Sequence, residues 1–340
     1  MFQTRGLFGA AFALSLITPF AFAQSKVDPK LPSYVKTSGV SGNIKSVGSD
    51  TMNNLMALWA EGFQKQYPNV QVEIEGKGSG TAPPALIAGT ASFGPMSRKI
   101  KDKEADEFEK EFGYKPTQIG TSIDMLAVFV HKDNPIAKTG LTLAQIDAIF
   151  SKNRKGGFKE DITTWGQLGL TGEWANKPIS LYGRNSASGT YGYFKKKALF
   201  EGDYKSEVKE QGGSAAVVQG VANDKFAIGY SGIGYRTADV AVVPLAKDGD
   251  DFIAPSAKTA SEYPLSRFLY LTVNHKPNDQ LDPLRREFLR YVFSREGQLV
   301  VVKDGYLPLP FSICQKQLAM VGIDLEPAAV KEPAEAGMRK

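Results

Sequence analysis

Four short segments of the sequence combine glycine with hydroxyl side chains in the manner of anion-binding turns. They are residues 48–52, 78–81, 94–98 and 184–190. Each stands at the end of a predicted strand and opens toward a predicted helix. The free N–H groups at a helix N-terminus carry partial positive charge and bind anions, and glycine lets the backbone approach the ligand closely.

The last of these segments carries the strongest signal. Arg184 adds a permanently charged, two-pronged donor that suits an oxyanion. Ser188, Gly189 and Thr190 follow it where a helix is expected to begin. One such segment alone is usually an ordinary helix cap. Four in one chain, together with Arg184, favour an oxyanion-binding protein.

Asp124 stands at the start of the apolar run 125–130 and is the candidate for choosing between oxyanions. Phosphate near neutral pH keeps a proton that a carboxylate can accept, whereas sulfate has none to offer. A buried carboxylate left unpaired against sulfate costs a few kcal/mol, which is enough for strong discrimination. An Asp there could instead cap a turn, and Asp50 is the competing acceptor, although it could simply cap the helix that follows it.

The sequence gives little support for a metal site, a serine hydrolase site or a nucleotide-binding P-loop. His131 and His275 are the only histidines, and they are far apart in the sequence with no nearby cysteine, so no metal site is expected. Neither Ser186 nor Ser188 stands in a G-x-S-x-G motif. The segment 78–81 is not followed by the Gly-Lys-Ser/Thr of a P-loop. We therefore expect no cofactor and no enzymatic activity.

The N-terminus predicts export. Arg5, the apolar stretch 7–22 and the A-x-A motif at 21–23 together indicate a secretory signal peptide at 1–23. A membrane anchor is the alternative, but the apolar stretch is short for a span and ends in a cleavage motif. The cleavage region carries no cysteine, so we expect a periplasmic protein without a lipid anchor.

Charge excludes one class of partner. The formal net charge is +5 and no run of five basic residues occurs, so the basic excess is too diffuse for nucleic-acid binding. A mild positive excess suits a small anionic ligand. The only cysteine, Cys314, leaves no intramolecular disulfide to form.

Strand-like and helix-like segments alternate along the chain, which predicts an α/β protein with mostly parallel sheets. The apolar runs 125–130 and 268–273 are expected to cross between two lobes. The expected division is a signal peptide at 1–23, a flexible leader at 24–42, lobe I at 43–122 and 264–320, lobe II at 123–263, and a tail at 321–340.

Several longer stretches resemble the periplasmic phosphate-binding proteins of Pst-type ABC transporters. They are residues 46–52, 81–86, 94–99, 131–135, 183–186, 230–235 and 264–270. The likeness covers roughly 42–310. It implies a type-II periplasmic-binding fold, in which two lobes close about a hinge on one dehydrated phosphate held in the cleft between them.

The resemblance also implies roles for individual residues. The donors would be Thr51, the N–H of Met52, and Ser79 from one lobe, with Arg184, Ser188, Gly189 and Thr190 from the other. Many relatives place the proton-accepting Asp where this chain has Ser97. We therefore infer that Asp124 accepts the proton and Ser97 donates, while Arg98 either contacts the anion or holds Asp124.

The expected function is high-affinity binding of inorganic phosphate by a monomer, which delivers it to the permease subunits of an inner-membrane ABC transporter. Binding of another oxyanion such as sulfate is the alternative of the same kind. A secreted phosphatase is a less favoured alternative, and a surface scaffold is a third.

Overall fold

The computed structural model describes residues 26–247, 249 and 251–328. The predicted signal peptide lies outside these residues. The strands in the described ranges are β1 (Gly42–Val47), β2 (Val70–Glu75), β3 (Gly94–Met96), β4 (Thr117–His131), β5 (Leu141–Thr142), β6 (Ser180–Arg184), β7 (Lys209–Gln211), β8 (Ala227–Gly232), β9 (Val240–Val242), β10 (Leu245–Ala246) and β11 (Ser266–Val273).

The helices connect these strands and cover their faces. The α-helices in the described ranges are α1 (Asn53–Gln66), α2 (Ala82–Ile87), α3 (Asp102–Phe112), α4 (Ile136–Thr139), α5 (Leu143–Phe150), α6 (Gly189–Ala198), α7 (Ser214–Asn223), α8 (Pro283–Val292), α9 (Arg295–Lys303) and α10 (Phe311–Ala319). Two single turns of 3₁₀ helix, Asp50–Met52 and Ser79–Thr81, precede α1 and α2.

Strand β4 joins the two halves of the largest sheet. Its residues 117–125 pair with β11, and residues 126–131 pair with β8 and β9. Strand β3 extends the first half beyond β11, while β6 and β7 extend the second half beyond β8. Asp124 therefore lies next to the point where β4 changes partners.

The prediction of mostly parallel sheets is wrong for this large sheet. Strand β6 pairs in parallel with β7 and β8, but every pairing made by β4 and β11 is antiparallel. The apolar run 125–130 led to the wrong prediction of a parallel strand because it is covered on both faces. Leu126 and Val128 pack into one hydrophobic cluster, and Ala127 and Phe129 into another. Burial on both faces makes a strand uniformly apolar, whatever the direction of its neighbours.

Two large hydrophobic cores underlie the two lobes of the fold. The first includes Trp59 and Phe63 of α1 packed with Phe288 of α8. The second includes Phe150 of α5 and Phe194 of α6 in edge-to-face contact. Burial of each such side chain stabilises the fold by about 1.5–3 kcal/mol. The cores fix the frame that carries the loops at the strand ends.

The described part of the expected leader packs against the body and is not loose. Leu31 is completely buried in the first core. The hydroxyl of Tyr34 donates to Oε2 of Glu287 at 2.8 Å. The residues preceding β1 lack regular structure because they are rich in proline, serine and glycine, but Val27, Leu31 and Tyr34 pack in or against the first core.

The expected tail begins in the same way. Val321 and Ile323 are buried, and the N–H of Ala328 donates to the carbonyl of Lys30 at 2.9 Å. This hydrogen bond ties the start of the tail to the leader. Residues 329–340, the rest of the expected tail, lie outside the described part of the chain.

Candidate functional site

The first three glycine-hydroxyl segments lie side by side at one edge of the sheet elements. Strands β1 and β2 are parallel, so their carboxyl ends meet there, and Phe93 just before β3 bridges to Ser46 of β1 in the same sense. Backbone hydrogen bonds then join the segments directly. Gly78 N donates to Gly48 O at 2.8 Å, and Ser49 N donates to Pro95 O at 2.7 Å.

The fourth segment leads from β6 into α6 and packs against the other three. Gly80 N donates to Ala187 O at 3.0 Å. A methyl group on Gly78 would lie 2.6 Å from the same carbonyl oxygen, and Gly78 has a φ of 116°, so only glycine fits there without strain. The hydroxyls of Thr51 and Thr190 are hydrogen-bonded at 2.9 Å.

Gly189, the first residue of α6, lies against the hydroxyls of Ser79 and Ser97. A methyl group on Gly189 would lie 2.6 Å from Oγ of Ser97 and still closer to Oγ of Ser79. Ser79 and Ser97 are fully buried, and Oγ of Ser79 accepts from the N–H of Ser97 at 3.0 Å. The helix N-terminus and two hydroxyl donors therefore face one small space.

Ser188 caps α6. Its Oγ accepts from the N–H groups of Thr190 at 3.1 Å and Tyr191 at 3.3 Å, in the manner of an ordinary N-cap. These bonds occupy the lone pairs of the hydroxyl and leave its proton to donate. The expected role of Ser188 as a donor is compatible with its capping role.

Arg184 ends β6 with a guanidinium that is almost completely buried. Its Nη1 donates to Oγ of Ser214 at 2.8 Å and lies 3.2 Å from Oδ2 of Asp50, while Nη2 donates to the carbonyl of Gly212 at 3.1 Å. Its Nε is buried and has no hydrogen-bond partner among the residues that the structure describes. Burial lowers the pKa of Arg184, and the charge of Asp50 opposes that change. One strong donor of Arg184 is thus left available in the interior of the site.

Asp124 is completely buried and already has three donors. Oδ2 accepts from Nε and Nη2 of Arg267 at 2.9 and 2.7 Å, and Oδ1 accepts from the N–H of Ile233 at 3.1 Å. A carboxylate has about four lone-pair positions. Oδ1 therefore keeps the capacity to accept one more proton donor.

Arg267 is the functional candidate that the sequence did not supply. Besides Asp124, it donates from Nη2 to Oγ1 of Thr190 at 2.9 Å and from Nη1 to the carbonyl of Ser97 at 2.9 Å. It therefore touches three of the expected site residues. The available signal was its position: Arg267 shares the buried face of an apolar strand with Leu269 and Leu271, where a charge needs a partner.

Three other expectations are altered by the geometry. The N–H of Met52 donates to the carbonyl of Ser49 at 3.2 Å within the 3₁₀ turn, so it is engaged before any anion binds. Arg98 donates to both carboxylate oxygens of Glu104, at 2.6 and 2.8 Å, and does not hold Asp124. Asp50 accepts from the N–H of Ser214 at 2.6 Å and pairs with Arg184, which commits it to positioning that arginine.

The charges of this cluster balance. Arg184 pairs with Asp50, and Arg267 pairs with Asp124. The neutral hydroxyls and the N-terminus of α6 add partial positive charge without a formal one. The cluster therefore offers an anion directed hydrogen bonds and no net positive charge.

Comparison with known proteins decides the family. Residues 35–296 match the model of the PBP superfamily domain. The phosphate-binding protein PstS of Pseudomonas aeruginosa strain PAO1 is 56% identical over 306 residues, which cover 89% of this chain and 94% of that protein. The chain belongs to the PstS family of phosphate-binding proteins.

More distant PstS relatives and solved structures agree on the fold. The PstS protein of Staphylococcus haemolyticus is 30% identical over 80% of this chain and 82% of its own length. A substrate-binding protein from Clostridium perfringens with bound phosphate has a TM-score of 0.66 and 24% identity, covering 79% of this chain and all of that one. A phosphate transport receptor from Vibrio cholerae has a TM-score of 0.60 and 22% identity, with 78% of this chain and all of that one covered.

The PstS family consists of substrate-binding proteins and not of enzymes. Its fold is the two-lobed type-II periplasmic-binding fold that the sequence predicted. Among the described residues, no helix has both the length and the apolar character that crossing a membrane requires.

Proposed function

We propose that this protein binds inorganic phosphate in the periplasm, between its two lobes, and delivers it to the inner-membrane subunits of an ABC transporter. The observation that carries the proposal is the meeting of buried donors with one buried carboxylate. Nε of Arg184 and the hydroxyls around the start of α6 supply the donors. Asp124 supplies the acceptor.

Arg184 and Arg267 have different roles in the proposed site. Arg184 presents its unpaired Nε to the anion, because its Nη atoms are held by Ser214 and Gly212. Arg267 orients Asp124 by donating two hydrogen bonds to its Oδ2, which leaves Oδ1 of the carboxylate to accept a proton donor. In this scheme phosphate supplies its O–H to Asp124, and its other oxygens accept from Arg184 and from the hydroxyls.

The remaining roles follow from position. Thr51, Ser79 and Ser97 donate from the segments after β1, β2 and β3. Ser188, Gly189 and Thr190 present the N-terminus of α6 to the anion. Met52 contributes by closing the 3₁₀ turn that orients Thr51, because its N–H is bonded to Ser49.

Titration calorimetry of the purified protein with phosphate and with sulfate tests this proposal. We expect tight phosphate binding and sulfate binding weaker by several decades, because sulfate leaves Asp124 without a proton to accept. Asp124→Asn should reduce the preference for phosphate over sulfate. Thermal unfolding of the same variant shows whether loss of the ion pair with Arg267 has destabilised the protein. Equal affinities in the wild-type protein would exclude the carboxylate argument and favour a general oxyanion-binding protein.

The proposal includes no catalytic turnover. Incubation of the pure protein with p-nitrophenyl phosphate should release no product above the rate in buffer. Release that disappears in Arg184→Ala would instead support a phosphatase.

A further inference from the structure

A cleft of about 950 Å³ opens directly onto the candidate site. Its walls come from residues 98–102 after β3, from α6 and the residues before it, and from the start of β11. Ser188 and Arg267, which belong to the candidate site, also line this cleft. We name it the outer cleft. These two side chains therefore connect the outer cleft with the buried cluster.

The lining of the outer cleft is strongly cationic. Seven basic side chains line it against two acidic ones, Asp102 and Glu201. Basic residues that stand far apart along the chain are therefore brought together on one concave surface by the fold.

Three of these seven cations are already committed to carboxylates. Arg98 is paired with Glu104, Lys195 with Asp203, and Arg267 with Asp124. The other four form no ion pair with any described residue, and they are Lys99, Lys101, Lys196 and Lys197. All four are exposed, two on each side of the outer cleft, and thus available to an anion from solution.

These side chains attract anions but do not select one anion over another. Lysine ammonium groups are flexible point charges that do not read the protonation state of an oxyanion. Aromatic walls, which include Tyr191, Tyr193 and Tyr270, lower the local dielectric and focus the field of the cations. A site of this kind binds phosphate, sulfate and condensed phosphates according to their charge.

We propose that the outer cleft is a second anion-binding site, which captures oxyanions weakly on these four lysines and passes phosphate to the buried site. This inference rests on the proposed function and adds a step to it. Capture is then unselective and fast, and the choice of phosphate is made afterwards at Asp124. Pyrophosphate, which carries more charge, is the class of ligand that the outer cleft holds best.

The test compares two quadruple variants with equal charge. The first changes Lys99, Lys101, Lys196 and Lys197 to Gln. The control changes four exposed lysines outside the outer cleft that form no ion pair with described residues, which are Lys36, Lys138, Lys258 and Lys316. Phosphate association and dissociation rates are measured by stopped-flow fluorescence at low and at physiological ionic strength.

We expect the cleft variant to associate about tenfold more slowly at low ionic strength, with an unchanged dissociation rate, because steering of this kind raises on-rates by 10–10³. The difference should shrink as salt is added. The control variant should remain within about twofold of wild type. Equal slowing in both variants, or a change confined to dissociation, would overturn the proposal.

A competition experiment checks the lack of selectivity. Pyrophosphate should slow phosphate association to the wild-type protein at concentrations that leave the phosphate dissociation rate unchanged, and the cleft variant should lose this effect. Pyrophosphate that slows both proteins equally would count against the outer cleft. If wild-type protein binds no phosphate at equilibrium, the proposed function fails; if it binds but the variants behave alike, only the outer cleft fails.

Discussion

Asp124 and Arg267 lie directly opposite each other on β4 and β11, and the arginine grips one carboxylate oxygen with two N–H groups, at 2.9 and 2.7 Å. Both side chains are almost completely buried. A buried pair of this kind is expensive to break, because removing one partner leaves the other charged and unpaired in a low dielectric.

The first prediction concerns this pair. Arg267→Met should lower the free energy of unfolding by about 3–5 kcal/mol, because it leaves Asp124 buried without its charged partner. The double variant Arg267→Met with Asp124→Leu should recover much of that loss. Urea unfolding of the wild type, both single variants and the double variant gives the coupling energy.

Lys132→Met is the matched control for the same measurement. Lys132 pairs with Asp239 at 2.9 Å, but both side chains are at least half exposed. Its replacement should change the free energy of unfolding by less than about 1 kcal/mol. A double variant at 124 and 267 that is no more stable than the Arg267→Met single variant would contradict the role of the pair.

The second prediction separates two arginines. Arg184→Lys should weaken phosphate binding by about 100-fold, because it removes the buried unpaired Nε and the fork held by Ser214 and Gly212. Arg98→Lys should keep equilibrium affinity within about threefold, because Glu104 holds that guanidinium away from Asp124. Calorimetry measures both, and similar losses in the two variants would show that the site is wrongly centred.

The third prediction uses two glycines of α6. Gly189→Ala should weaken phosphate binding by at least tenfold, because its methyl group would press against the hydroxyls of Ser79 and Ser97. Gly192→Ala should bind normally, since its methyl group would lie 3.6 Å from the nearest neighbouring atom, Cδ of Arg98. It should also gain a little stability, because alanine favours the helix by up to about 1 kcal/mol. Normal affinity in Gly189→Ala would contradict the close approach of that residue to the anion.

The fourth prediction concerns pH. Burial, and then the charge of Asp124, raise the pKa of Asp304 from its ordinary value near 3.8 to about 7. The folded protein therefore holds a proton that the unfolded chain has lost, so stability should fall as pH rises from about 4 to about 7 and then level off.

Asp304→Asn should abolish that part of the pH dependence. We expect the variant to exceed the wild type by about 2 kcal/mol at pH 8, which is half of the full linkage value because Asp304 is partly exposed. At pH 4 the two proteins should be equally stable. Urea unfolding at both pH values measures the difference, and an identical pH profile for the two proteins would contradict the raised pKa.

The glycine-hydroxyl segments were predictable because their chemistry is local. A turn that opens a helix needs its glycine and its hydroxyls within a few residues of each other, so residues 78–81 and 184–190 stand out in one sequence. Arg184 was visible for the same reason, since it lies four positions before Ser188.

Arg267 was not predictable in this way. It lies 143 positions from Asp124, and only the antiparallel register of β11 on β4 brings the two together. The periodicity of a strand shows which face is buried but not which strand lies beside it. For the same reason the antiparallel direction of β4 could not be predicted from the sequence. Nor could the sequence show that basic side chains far apart along the chain line one cleft.

Strand β4 also bears on how the molecule unfolds. A protein with two hydrophobic cores ordinarily loses them in separate steps, with one part melting while the other persists. Here one continuous strand, β4, forms hydrogen bonds in both halves of the sheet. Unfolding of either half therefore disturbs the strand on which the other half is paired. Hydrogen exchange of backbone amides on the two sides of residue 125 should therefore give one common free energy of opening, as expected for a single cooperative event.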